Sequence, residues 1–137
     1  TAWSDYLLGY ARARRIAARV DFIYELSPKD LPALFRLART FVYLPDAEIE
    51  ASIVPVVEAL RAGLPMVLSD TRLNREAAGD AAVYVDPEAV GEVAAALENV
   101  LWDETFRSEM RRREGRRAEL FSEYAVARRL IDIYSSL

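Results

Sequence analysis

The chain has 137 residues with 18 basic and 22 acidic side chains, a formal charge of −4, and neither histidine nor cysteine. The two missing residue types exclude a Ser-His-Asp triad, a cysteine nucleophile, a disulfide and a zinc site of the usual kind; the mild acidity argues against a nucleic-acid partner, which calls for a basic face. With 53% hydrophobic and 29% charged residues, the composition is that of a globular domain with a buried core, single at this length.

In chain order, residues 3–18 read as an amphipathic helix, with Tyr6, Leu7, Tyr10 and Ile16 set against Arg12, Arg14, Arg15 and Arg19. Val20-Asp21-Phe22-Ile23-Tyr24 reads as a strand. Ser27-Pro28-Lys29-Asp30 follows with a capping residue, a proline at the first helical position and an acid three residues after the cap, predicting a helix over 28–39. A second strand is expected at 40–44, a loop over 45–50, and a helix over 52–62 closed by Gly63. Residues 66–68 and 82–85 are the third and fourth predicted strands.

Beyond them only helices are expected. Asp86-Pro87 opens one with Val90, Val93, Ala94, Leu97 and Leu101 on one face. Another covers about 104–120 with Phe106 and Met110 as apolar contacts, and the last covers about 124–136 with Leu130, Ile131 and Tyr134. Trp3 and Trp102 read as helix packing residues. The alternation predicts an α/β fold, a Rossmann-like parallel sheet with flanking helices and additional C-terminal helices over 103–137. In doubly wound sheets such a first helix follows a strand, so the sheet is expected to lack its first strands and the domain to be incomplete. A start at Thr1 instead of Met agrees with a piece of a longer protein.

The segment with most chemical content is Glu50-Ala51-Ser52-Ile53-Val54-Pro55-Val56-Val57-Glu58, two carboxylates flanking a loop-to-helix junction. The first turn of a helix carries unpaired N–H groups and partial positive charge, which suit a phosphate or diphosphate. Carboxylates there accept hydrogen bonds from ribose and sugar hydroxyls. The junction follows a strand, where open α/β sheets place their ligands. By spacing alone, the plainer reading is a helix-start charge at Glu50 and a solvated Glu58. Asp70-Thr71-Arg72 lies at the same sheet edge, where Asp70 reads either as a ligand contact or as a helix cap. Arg107, Arg111, Arg112, Arg113, Arg116 and Arg117 alternate with Glu104, Glu109, Glu114 and Glu119, which reads as a solvated, ion-paired face, with peripheral contact to an anionic membrane as the alternative.

The Glu-(seven residues)-Glu pair, followed by Ala59-Leu60-Arg61-Ala62-Gly63-Leu64-Pro65-Met66-Val67-Leu68-Ser69-Asp70, resembles the nucleotide-binding domain of retaining glycosyltransferases of group 1, family 4, which have the two-domain GT-B fold. Asn74-Arg75-Glu76-Ala77-Ala78-Gly79-Asp80-Ala81-Ala82-Val83-Tyr84-Val85-Asp86-Pro87 is similar to that family's "E-x-x-G-D-A-A-x-x-V-D-P" stretch, and residues 115–121 to its closing "G-x-x-R-A-x-x-F-S" helix. The resemblance covers about residues 20–134 and implies that the chain is the C-terminal half of a GT-B fold, binding a nucleotide-diphosphate sugar for transfer to a hydroxyl acceptor with retention. It places Glu58 on the donor ribose and Glu50 beside the donor sugar as the catalytic carboxylate. The N–H groups of Ser52 and Ile53, with Ala51 beside them, would face the diphosphate.

Ala51-Ser52-Ile53 stands where the family has Gly-Phe-Gly, and branched Ile53 is expected to crowd the diphosphate. The family's Arg/Lys pair would precede Thr1, as would an N-terminal acceptor domain, so the isolated chain is expected to be inactive. No cofactor or metal is implied, and no Asp-x-Asp is present. No signal peptide is visible and the apolar runs fall short of the roughly 20 residues that span a bilayer, so a cytoplasmic location is expected. The alternative is a non-catalytic scaffold or interaction domain with a degenerate donor site. A receiver-like signalling domain lacks the acidic cluster expected at its first strand.

Overall fold

Three short apolar runs, β1 (Phe41–Tyr43), β2 (Met66–Ser69) and β3 (Val83–Val85), pair in the order β1-β2-β3 with every neighbour parallel. Val42 sits opposite Val67, which sits opposite Val83. The computed structural model describes residues 2–46 and 52–137. Among these, the helices are α1 (Ala2–Ala13), α2 (Leu31–Leu37), α3 (Val54–Ala62), α4 (Arg72–Ala78), α5 (Val90–Trp102), α6 (Glu104–Ala118) and α7 (Glu123–Ser135). Short 3-10 turns lie at Ala17–Arg19 and Glu119–Phe121. By its internal contacts the chain divides after Leu31 into two units.

In the unit from Pro32 onward, strand alternation sends side chains to two opposite layers. Met66 and Leu68 join Phe41, Tyr43 and Tyr84 against Val56, Ala59 and Leu60 of α3 and Ala77 and Ala78 of α4. Val67 and Val85 join Leu44 and Val83 against Ala96 and Val100 of α5. Covered on both faces, β2 is buried throughout, as a central parallel strand requires. Each buried Leu or Met in these layers contributes about 1.5–3 kcal/mol. The C-terminal ends of all three strands thus open on one edge, where the connections to α3, α4 and α5 begin.

Several expectations are corrected. Residues 20–24 form no strand: β-branched content favours a pleated surface only where a neighbouring strand supplies hydrogen bonds, and none among the described residues pairs with them. The helix expected over 28–39 begins at Leu31, because residues 28–30 turn on the Ser27 carbonyl, which accepts from Asp30 and Leu31. The first helix ends at Ala13, with Arg15 in the left-handed region (φ 58°) just after it. A helix not anticipated, α4, starts at Thr71, whose hydroxyl caps the Asn74 N–H. Trp3 and Trp102 are exposed, not packed, and so are Leu130, Ile131 and Tyr134 of α7 and Val90 and Ala94 of α5; Ala96 and Val100 center the buried stripe of α5 instead.

The arginine-rich α6 is more than a solvated face. Arg112 and Arg113 pair with Glu109, and Arg107 pairs with Glu104. Arg117, however, donates through Nε to the Ala77 carbonyl (2.8 Å) and through Nη2 to the Glu76 carbonyl, and Arg113 reaches the Asp80 carbonyl. These guanidinium groups satisfy carbonyls at the negative end of α4. Gly79 sits beneath Arg117 with φ +59°, a conformation that accounts for the glycine there.

Candidate functional site

At the strand ends, the loop after β2 is tied down by polar groups bonded to one another. Ser69 donates its hydroxyl to the Pro45 carbonyl after β1 (2.9 Å), and buried Asn74 donates Nδ2 to the Ser69 carbonyl (2.9 Å) and hydroxyl (3.2 Å). Three elements are thereby locked at one edge, by two residues that periodicity did not single out; Thr71-x-x-Asn74, a cap and its recipient, was the available signal. Asp70 is not the cap. Its carboxylate takes Nε and Nη2 of Arg75 (2.5 and 2.7 Å), which holds its pKa below the ordinary carboxylate value. Arg75 in turn lies over the ring of Tyr84, 4.3 Å from its center. Beside this network a cleft of about 410 Å³ is lined by Asp46, Ser69, Asp70, Thr71, Asp86 and Glu88, among others. Its carboxylates do not converge as a metal-ligand set among the described residues.

The start of α3 is built differently. Ile53 occupies the cap position and supplies no side-chain hydrogen bond, and Pro55 in the first turn has no N–H to offer. The Ser52 hydroxyl accepts from the Val54 N–H (3.2 Å), while the Ser52 carbonyl accepts from the Tyr43 hydroxyl at the end of β1 (3.4 Å). The N–H groups of Ser52 and Ile53 donate to no other described residue. The carboxylate of Glu58, one turn on and half-buried, makes no hydrogen bond or ion pair with a described residue. Glu50 and Ala51 lie outside the described residues. The half-buried Ile53 side chain packs against the cluster formed by Val56, Leu60 and Leu68.

A strand end, a helix start with open N–H groups at Ser52 and Ile53 and a carboxylate one turn later form an arrangement that can take an anionic group flanked by hydroxyls. The family model for glycosyl transferases group 1 matches residues 2–120. The chain belongs to that family. Among curated relatives of this group 1 member, O-antigen chain mannosyltransferase B of Escherichia coli is 33% identical over 118 residues, covering 86% of this chain and 30% of that protein. O-antigen chain mannosyltransferase RfbU of Salmonella typhimurium is 29% identical over 82 residues, covering 60% of this chain and 23% of the relative. The chain therefore spans about a third or less of the lengths of these glycosyltransferases. The described architecture, a parallel sheet flanked by helices, agrees with a partial Rossmann-like half of a GT-B fold. None of its described helices is long and apolar enough to cross a membrane.

Proposed function

We propose that this chain is the nucleotide-sugar-binding part of a retaining glycosyltransferase, with the donor seated at the start of α3. The observation that carries the reading is the polar inventory there: the N–H groups of Ser52 and Ile53 have no described acceptor and the Glu58 carboxylate has no described partner. In this reading the N–H groups and the positive end of α3 receive the diphosphate. Glu58 accepts hydrogen bonds from the ribose hydroxyls. Glu50 lies by the donor sugar and stabilises the positive charge that develops as the anomeric carbon parts from the diphosphate oxygen and bonds the acceptor oxygen. Catalysis by this part of the protein is then chiefly electrostatic, and the proton of the acceptor hydroxyl passes to the departing diphosphate oxygen. The mannosyltransferase relatives favour a hexose as the transferred sugar, and the acceptor site belongs to an N-terminal domain outside this chain.

The test is binding of uridine or guanosine diphosphate by the full-length protein, measured calorimetrically. Micromolar-range affinity that falls at least about tenfold in Glu58→Ala, as loss of a hydrogen-bonded charged partner implies, supports the reading. No binding at millimolar nucleotide overturns it in favour of a scaffold that keeps the fold without the donor.

A further inference from the structure

A fully buried carboxylate without a partner is an unusual thing for a helix to carry, and α6 carries one. Glu114 is 0% exposed, and neither of its oxygens has a hydrogen-bond partner among the described residues. Its helix packs on α3 and α5. Glu114 lies one turn beyond buried Met110 and one turn before Ala118, which packs against the α3 cluster of Val56, Ala59 and Leu60. The charged residues on the elements packed against α6 are Glu58 and Arg61 of α3, Arg72, Arg75 and Glu76 of α4, Glu92 and Glu98 of α5 and Glu119 of the 3-10 turn that follows, and none pairs with Glu114. Arg111, on α6 itself, is the cation that acts on it electrostatically, and it forms no ion pair with it. Two turns earlier, the buried Nε of Arg107 also lacks a partner, its Nη1 being turned to Glu104.

An ionised carboxylate placed so would cost several kcal/mol in desolvation with nothing to offset it. We infer that Glu114 is held as a neutral carboxylic acid against the core side of α6, and that losing its proton loosens α6 from α3, the helix whose start forms the candidate site. Burial, only partly opposed by Arg111, pushes its carboxyl from an ordinary value of 4.5 up to about 7. An acid whose pKa is raised by folding binds more protons folded than unfolded. The fold therefore loses stability as pH rises from about 4.5 to about 7 and holds a constant deficit above that. The device works oppositely to the exposed Asp70, whose pairing with Arg75 is strengthened by ionisation.

Glu114→Gln keeps the shape and removes the titration. Urea unfolding of the full chain and of the variant from pH 4.5 to pH 8.5 should give similar unfolding constants at the acid end. At the alkaline end they should diverge, the native protein unfolding up to about 300-fold more readily than the variant. Hydrogen exchange corrected for intrinsic rates should show lost protection in α3 and α6 at alkaline pH, absent in the variant. Parallel pH profiles for the two proteins would overturn the inference, and so would protection lost equally across β2. Should the variant fold poorly, a carbon-13 titration of the Glu114 carboxyl in the native chain decides: a midpoint near 7 supports a held proton, and a midpoint below 5 overturns it.

Discussion

Two helix starts share one edge of the sheet, and they treat their polar groups in opposite ways. At α4 they are spent on one another: Thr71 caps Asn74, Asn74 holds Ser69, Ser69 holds Pro45, and Asp70 is paired with Arg75. At α3 the cap position is a half-buried isoleucine packed against the core, and the N–H groups of Ser52 and Ile53 and the carboxylate of Glu58 find no described partner. A saturated network stabilises and positions, whereas unsatisfied groups at a solvent-reachable edge are available to a ligand. The difference makes the start of α4 architectural and is the ground for proposing the start of α3 as the binding site.

That contrast can be broken by mutation. The largest effect on folding is expected at Asn74, whose replacement by alanine strands the buried Ser69 hydroxyl and carbonyl from their donor; a loss of about 2–3 kcal/mol in urea unfolding is expected, with little direct change in nucleotide affinity. A smaller loss, about 1–2 kcal/mol, is expected for Ile53→Gly, because the half-buried side chain leaves the core cluster and the backbone gains freedom. Tighter nucleotide binding in Ile53→Gly without a stability loss would instead support the expectation that Ile53 crowds the diphosphate. The smallest effect belongs to Asp70→Asn at the exposed ion pair. Its sign is set by the lowered pKa of Asp70: the pairing stabilises the fold above the unfolded carboxyl value near 3.8 and fades as pH falls through the lower folded value. The variant should match the native chain in strong acid and fall slightly below it at neutral pH, as read by thermal unfolding at the two pH values.

Much of this was legible in the residues. The parallel α/β pattern, strands expected at 40–44, 66–68 and 82–85 and observed at 41–43, 66–69 and 83–85, and a helix closed by Gly63 follow from short apolar runs and caps, which are local signals. Residues 20–24 carry the same signal and form no strand, because strand formation depends on a partner that local composition does not supply. The extent of helix α4 is hard to read because its seven residues show almost no apolar period, and its cap is Thr71 where the sequence offers Asp70 as a cap or a ligand contact. Of the candidate site, the position of the helix start after β1 and of Glu58 within α3 was legible from the motif. The inward turn of Ile53 was not, since which way a side chain at a helix start faces depends on the sheet beneath it. Arg117 and Glu114, read as solvated by their alternating charges, belong instead to the inner side of α6, where packing against α4 and α3 overrides the charge pattern.

The most direct test is a backbone amide titration of the full-length protein with a nucleoside diphosphate, followed by NMR. The account predicts saturable shifts at Ser52, Ile53, Val56 and Glu58 and smaller ones at Thr71 to Asn74. Shifts concentrated on residues 69–75, with the start of α3 unmoved, would contradict it.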